Sequence, residues 1–206
     1  MAVVNYTLDG GVGVITINNP PVNVLSQPVR QGIVQAVSAA QDDGSKALVL
    51  ICDGRTFIAG ADITEFGQPP RSPSLQEMLE TIEQSNKPVV AAIHGTALGG
   101  GFETALACHY RCAVDLAQVG LPEVKLGLLP GGGGTQRLPR LAGVEAALDL
   151  ITSGTSISVD KAKSLGLIDV VVDNLAQGSI EFAKSLIATQ APLRQVSQLT
   201  IDPESI

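Results

Sequence analysis

Gly95-Thr96-Ala97-Leu98-Gly99-Gly100-Gly101-Phe102-Glu103 sets a carboxylate directly after a run of glycines, and Gly120-Leu121-Pro122-Glu123 supplies a second. Two carboxylates at one site can move a proton and a water when one is ionised and the other protonated. The apolar run Val89 to His94 reads as a strand and Phe102 to Ala107 as the opening of a helix, so the glycines occupy a strand-to-helix turn. A helix start in that position directs free N–H groups outward, and these are the donors that a developing oxyanion needs. Adjacent glycines are costly in chain entropy and belong where backbone closely approaches a partner or takes positive φ. Here a ligand oxygen is a fitting partner. Glu103, one turn into the helix, reaches what the glycine N–H groups hold, and Glu123 stands in a loop introduced by Pro122. A glutamate in a helix's first turn is otherwise a surface residue complementing the helix dipole. The glycine context argues for chemistry.

A second small-residue turn, Phe57-Ile58-Ala59-Gly60-Ala61-Asp62-Ile63, follows the apolar strand Ala47 to Cys52 and so holds the corresponding strand-exit position. Two such turns can supply one N–H each, and the small side chains leave room for a bulky ligand to lie against the backbone.

The elements that must position these turns alternate along the chain. Val3 to Leu8 and Val12 to Ile17 read as a hairpin around Gly10-Gly11. A helix capped near Ser26 carries Val29, Ile33, Val37 and Ala40 on one face. Ser74 with Glu77 forms a capping box for a helix whose apolar face is Leu75, Met78, Leu79 and Ile82. Tyr110 to Val114 is a further strand, and Glu145 to Ser153, Val159 to Leu165 and Ile180 to Ala188 are helices. These patterns give an α/β chain with mixed strand pairing.

In this order, Phe57 to Ile63, Ala97 to Glu103, Gly120-Leu121-Pro122-Glu123-Val124-Lys125-Leu126-Gly127 and Pro130-Gly131-Gly132-Gly133-Gly134-Thr135-Gln136-Arg137-Leu138 resemble the signature segments of the crotonase (enoyl-CoA hydratase/isomerase) superfamily. The likeness runs from Val12 to Asp173. Asn18-Asn19-Pro20-Pro21-Val22-Asn23 and Cys108-His109-Tyr110-Arg111 are similar to the N-terminal hydratase/isomerase part of multifunctional β-oxidation enzymes.

The resemblance implies a spiral of ββα units with surrounding helices, forming one domain over residues 1–206 with its core at about 3–190. It implies backbone N–H groups of Ala61 and Gly100 as the oxyanion hole, and Glu103 and Glu123 as the catalytic pair of an enoyl-CoA hydratase able also to shift a 3-enoyl to a 2-enoyl double bond. Substrate and coenzyme A contacts fall at Val22, Phe57, Ile58, Ala59, Gly60, Asp62, Ile63 and Gly99, with the adenine near Ile58 to Asp62. No permanently bound cofactor is implied; the acyl-CoA thioester is the substrate. Gln68-Pro69-Pro70-Arg71-Ser72-Pro73 borders the acyl tunnel by resemblance, and is a polar surface connection by composition. Family chains continue past Pro203-Glu204-Ser205-Ile206 into C-terminal helices that cover the pocket. This predicts a chain cut short, with self-association or dehydrogenase domains of a longer chain as partners. An acyl-CoA-binding module, inactive without its C-terminal part, and another thioester reaction on the same oxyanion hole are the alternatives.

Composition sets further bounds. The 206 residues suffice for a large core, which must be aliphatic, since aromatics are 3% and tryptophan is absent. A net charge of −7 argues against nucleic acid as a partner. Cys52, Cys108 and Cys112 read as free buried thiols, and without further His or Cys to complete a ligand set they predict no metal. His94 and His109, set against apolar stretches, read as structural. Gly131 to Gly134 lacks the Lys-Ser/Thr of a phosphate loop and reads as a flexible turn carrying the chain beside Glu123, and no Gly-x-Ser-x-Gly elbow offers a serine nucleophile. Arg55 is a positional candidate for a coenzyme A phosphate. With no signal peptide and no membrane span, the expected location is the cytoplasm of a bacterium or the peroxisome of a eukaryote.

Overall fold

The computed structural model describes residues 2–65 and 67–201, so Pro203 to Ile206 lie outside the described residues. In chain order its elements are β1 (Val4–Asp9), β2 (Val12–Ile17), α1 (Gln27–Ala40), β3 (Ala47–Cys52), α2 (Leu75–Glu83), β4 (Val89–Ile93), β5 (Thr96–Leu98), α3 (Gly100–Ala107), β6 (Tyr110–Ala113), β7 (Gln118–Gly120), α4 (Gly134–Ala142), α5 (Val144–Ser153), β8 (Ser156–Ser158), α6 (Val159–Ser164), β9 (Val170–Val171) and α7 (Leu175–Ala188). Short 3-10 turns at Ile63–Glu65, Pro122–Leu126 and Val196–Gln198 complete them.

The main sheet has the order β1-β2-β3-β4-β6-β9 and is parallel except for the β1–β2 hairpin. Parallel strands are covered on both faces, which explains the unbroken apolar runs of β3 and β4. Alternate residues serve different layers. Leu48 and Leu50 of β3, with Val89, Ala91 and Ile93 of β4, pack with α1, α2 and α3. Ala47, Val49, Val90 and Ala92 face the other way, against Ala183 and Leu186 of α7. A smaller sheet, β5-β7-β8, lies apart from the main one.

The hairpin, the Ser26 start of α1 and the apolar face of α2 lie where the sequence puts them. Three features differ. The glycines do not follow the β4 strand directly: β5 intervenes and enters the small sheet, because Leu98 N–H donates to the Ile58 carbonyl at 3.1 Å and Gln118 N–H to that of Gly95 at 2.8 Å. Helix α7 starts at Leu175, not Ile180, since the Asn174 side chain caps it by accepting from Gln177 N–H at 3.1 Å. The glycine run opens α4, with Gly133 at φ 91° as its N-cap.

The Ser74–Glu77 capping box is present, with Ser74 Oγ accepting from Glu77 N–H at 3.2 Å. Ser74→Ala is expected to lower stability by about 1 kcal/mol, read from a denaturation midpoint at unchanged slope.

Candidate active site

The exits of β3 and β4 are stitched side by side. Phe57 N–H donates to the His94 carbonyl at 2.8 Å, and the Ile58 carbonyl receives Leu98 N–H. Gly101, on the first turn of α3, lies flat against Ile58: a Cβ there would stand 2.7 Å from the Ile58 carbonyl carbon. This contact draws the two turns together, and the Ala61 nitrogen lies 3.4 Å from where a Cβ on Gly100 would be. Among the described residues, neither the Ala61 nor the Gly100 N–H donates to a backbone carbonyl. The α3 N-cap is Gly99, at φ 52°, which has no side chain to occupy them. Two adjacent, uncommitted N–H groups can together donate to one ligand oxygen, as an oxyanion site requires.

Glu103 is 1% exposed, and its Oε1 accepts N–H bonds from Gly132 at 2.7 Å and Gly134 at 2.8 Å. Burial pushes its carboxyl up to about 7, outweighing those two bonds, and the Glu123 charge pushes the same way. Glu123, on the 3-10 turn, packs its Oε1 3.0 Å from the position of a Gly99 Cβ, and its buried Oε2 has no protein partner. Burial raises its pKa as well. The Glu123 charge that raises the Glu103 carboxyl couples the two groups, so they titrate as a pair.

Both glutamates line a cavity of about 940 Å³ with Ala59, Gly60, Ala61, Asp62, Ile63, Gly99 and Gly100. Of the other residues named from the sequence, Phe57 and Ile58 are fully buried and the Val22 carbonyl receives Ala59 N–H, and none of the three lines the cavity. The Gln68 to Arg71 loop does line it, whereas Arg55 does not. Leu75, Leu126, Leu128 and Leu129 give it apolar walls. The glycine run holds Glu103, not Glu123, which corrects the sequence reading: its N–H groups open α4 and point back into the site. Arg30 clamps the far wall, bonding Glu65 at 2.8 Å and the Pro73 carbonyl at 2.7 Å. Neither contact follows from local spacing, because each joins residues more than thirty apart.

The remaining candidates lie elsewhere. Cys52, Cys108 and Cys112 are free and buried, with the thiols of the latter two pushed up to about 12 by burial. His109 Nδ1 accepts from Val89 N–H at 3.1 Å, and burial pushes that imidazole down to about 4. Among the described residues no cluster of His, Cys, Asp and Glu could hold a metal ion, and no helix is long and apolar enough to cross a membrane.

A stability effect follows from the raised Glu103 carboxyl. Its folded value near 7 lies above the ordinary 4.5, so the folded chain binds this proton more tightly than the unfolded one. The contribution is lost as pH rises through that window. Glu103→Gln should therefore raise the melting temperature relative to the parent more at about pH 8 than at about pH 5; an equal difference at both values would contradict it.

The family model described as enoyl-CoA hydratase/isomerase matches residues 7–200. The chain belongs to this family. It is 43% identical to the probable enoyl-CoA hydratase of Bacillus subtilis (strain 168), over 91% of this chain and 76% of that one. It is 50% identical to the peroxisomal bifunctional enzyme of Danio rerio, over 92% of this chain but 27% of that protein, so it spans about a quarter of the length of the bifunctional enzymes it matches. The crystal structure of a Bacillus anthracis enoyl-CoA hydratase superposes with a TM-score of 0.83 at 35% identity, covering 91% of this chain and 77% of that one. That of enoyl-CoA hydratase subunit I from Geobacillus kaustophilus HTA426 gives 0.82 at 36%, covering 93% and 78%. The crotonase-like α/β fold expected of the enoyl-CoA hydratase/isomerase family is thus the fold of this chain.

Proposed function

We propose that the chain is an enoyl-CoA hydratase of fatty-acid β-oxidation, adding water across the double bond of 2-enoyl-CoA thioesters. One observation carries this reading: two uncommitted N–H groups, from Ala61 and Gly100, open beside one buried and one half-buried carboxylate, both of raised pKa, in one apolar-walled cavity. The thioester oxygen accepts from both N–H groups. Water held between Glu103 and Glu123 gives a proton to the ionised carboxylate as its oxygen bonds to the β-carbon, and the protonated carboxyl delivers a proton to the α-carbon. Enolate character develops at the thioester oxygen as these two transfers proceed together, and each N–H donor contributes ~2.7–4 kcal/mol to stabilising it. The same pair, removing and returning one proton, serves a 3-enoyl to 2-enoyl shift.

The exposed Ile63, Leu126 and Leu129 around the cavity suit an acyl chain, and the open backbone of Ala59 to Asp62 suits the coenzyme A end. The chemistry is proton transfer and addition, and calls for no resident cofactor. Partners of this reading are the acyl-CoA itself and either further copies of the chain or dehydrogenase domains of a longer one; the location is the bacterial cytoplasm or the eukaryotic peroxisome. Incubation with 2-enoyl-CoA in oxygen-18 water should place the label in the β-hydroxyl of the product. An unlabelled or unhydrated product rejects the assignment.

A further inference from the structure

The Gly132 and Gly134 N–H groups that hold Glu103 are themselves held from behind. Arg137 projects back from α4, and its Nη1 donates to the Gly132 carbonyl at 2.9 Å. The other side of the guanidinium is locked on Glu83 of α2, with Nη2 donating to Oε2 at 2.7 Å and Nε to Oε1 at 3.3 Å. Glu83 is fastened in turn: its Oε1 accepts Ser197 N–H at 2.8 Å and its carbonyl accepts from Gln195 Nε2 at 3.1 Å. Arg137 and Glu83 are 6% and 5% exposed. A buried ion pair is on average no better for stability than apolar residues of the same volume. Its position directly behind the turn that grips Glu103 gives it a different use.

We propose that Arg137 is a positioning residue for Glu103. Locked by Glu83, its guanidinium holds the Gly132 carbonyl and thereby aims the Gly132 and Gly134 N–H groups at the carboxylate, while its charge favours the ionised form. The planar fork suits this task, since it engages a carboxylate and a carbonyl at once, which a lysine ammonium cannot do with fixed geometry. The charge acts on Glu103 as expected, lowering its pKa against burial and against Glu123. The other charged side chains lining the cavity are Arg30, Asp62, Glu65 and Arg71, and Glu83 stands behind Arg137. The path from the Gln195 to Ser197 segment to the reacting carboxylate is therefore four contacts long: Ser197 N–H, Glu83, Arg137, Gly132.

The inference rests on the hydratase reading, and its test keeps the two apart. Two proteins are compared with the parent: Arg137→Lys, and the double variant Glu83→Gln with Arg137→Met, which leaves no buried charge alone. The first readout is the titration of the Glu103 side-chain carboxyl by carbon-13 NMR, assigned by its disappearance in Glu103→Gln. It needs no turnover. The midpoint should move above the parent's in the double variant and return toward it in Arg137→Lys, which restores the charge. The second readout is hydration kinetics, in which both variants should lose about 10- to 100-fold in kcat with KM within about twofold, because a reactive group is misaimed while the substrate cavity is intact. A folded double variant whose Glu103 titrates at the parent's midpoint overturns the inference. Should the double variant not fold, Arg137→Lys with parental kcat does so. A parent that titrates as described but never hydrates removes the hydratase reading and leaves the positioning role to be decided by the midpoint.

Discussion

Glu103→Gln and Glu123→Gln each lower kcat by about 10²- to 10⁴-fold while a saturated acyl-CoA still binds. Each glutamine keeps the volume and an accepting oxygen. The Gly132 and Gly134 N–H bonds to position 103 can persist, and so can the packing of position 123 against Gly99. What is lost is the capacity to take or give a proton. Because one ionised and one protonated carboxyl act in the same event, the double variant should be little worse than the poorer single one, as for residues that work as a unit. Multiplicative losses would mean that the two carboxylates serve separate steps. Binding of a non-hydratable thioester, measured in parallel, separates lost chemistry from a collapsed cavity.

Gly101→Ala lowers stability by about 3 kcal/mol or more and removes activity with it. A Cβ at this position would stand 2.7 Å from the Ile58 carbonyl carbon and 2.8 Å from the Ile58 Cβ, against backbone that cannot swing away as a side-chain tip would. Overpacking in a closed core typically costs 1–3 kcal/mol, and contact with main chain puts this site at the upper end or beyond. The consequence reaches function, because relief of the clash requires α3 to retreat from the first turn, which separates the Ala61 and Gly100 N–H groups. Gly131→Ala is the matched control, since nothing lies within 4 Å of a Cβ there. Comparable midpoints of denaturation for the two variants would contradict the close approach.

Why some of this was legible in the sequence and some was not follows from contact range. The Ser74 capping box, the Gly10-Gly11 hairpin and the buried strands are set by residues within a few positions of each other, so local spacing reveals them. The paired glutamates and small-residue turns are recognisable by kind, and the fold brings them to one cavity. The three-residue strands β5, β7 and β8 are too short to show alternation. The grip of the glycine turn on Glu103 and the lock of Arg137 on Glu83 join residues 29 and 54 positions apart, which no local pattern encodes. The one available signal was positional: a glycine run that opens a helix points free N–H groups backward into whatever lies before it. Because α4 begins at this run, it is a helix start rather than the flexible turn its composition suggests.

The most direct test of the central claim is the ultraviolet absorbance of a short 2-enoyl-CoA incubated with the purified chain, beside its Glu123→Gln variant. The parent should remove the conjugated enoyl band, and the variant should do so at a rate reduced by about 10²-fold or more. A band that persists with both, despite saturable binding of the thioester, would contradict the central claim and leave the cavity as a binding site for acyl-CoA without the hydration chemistry.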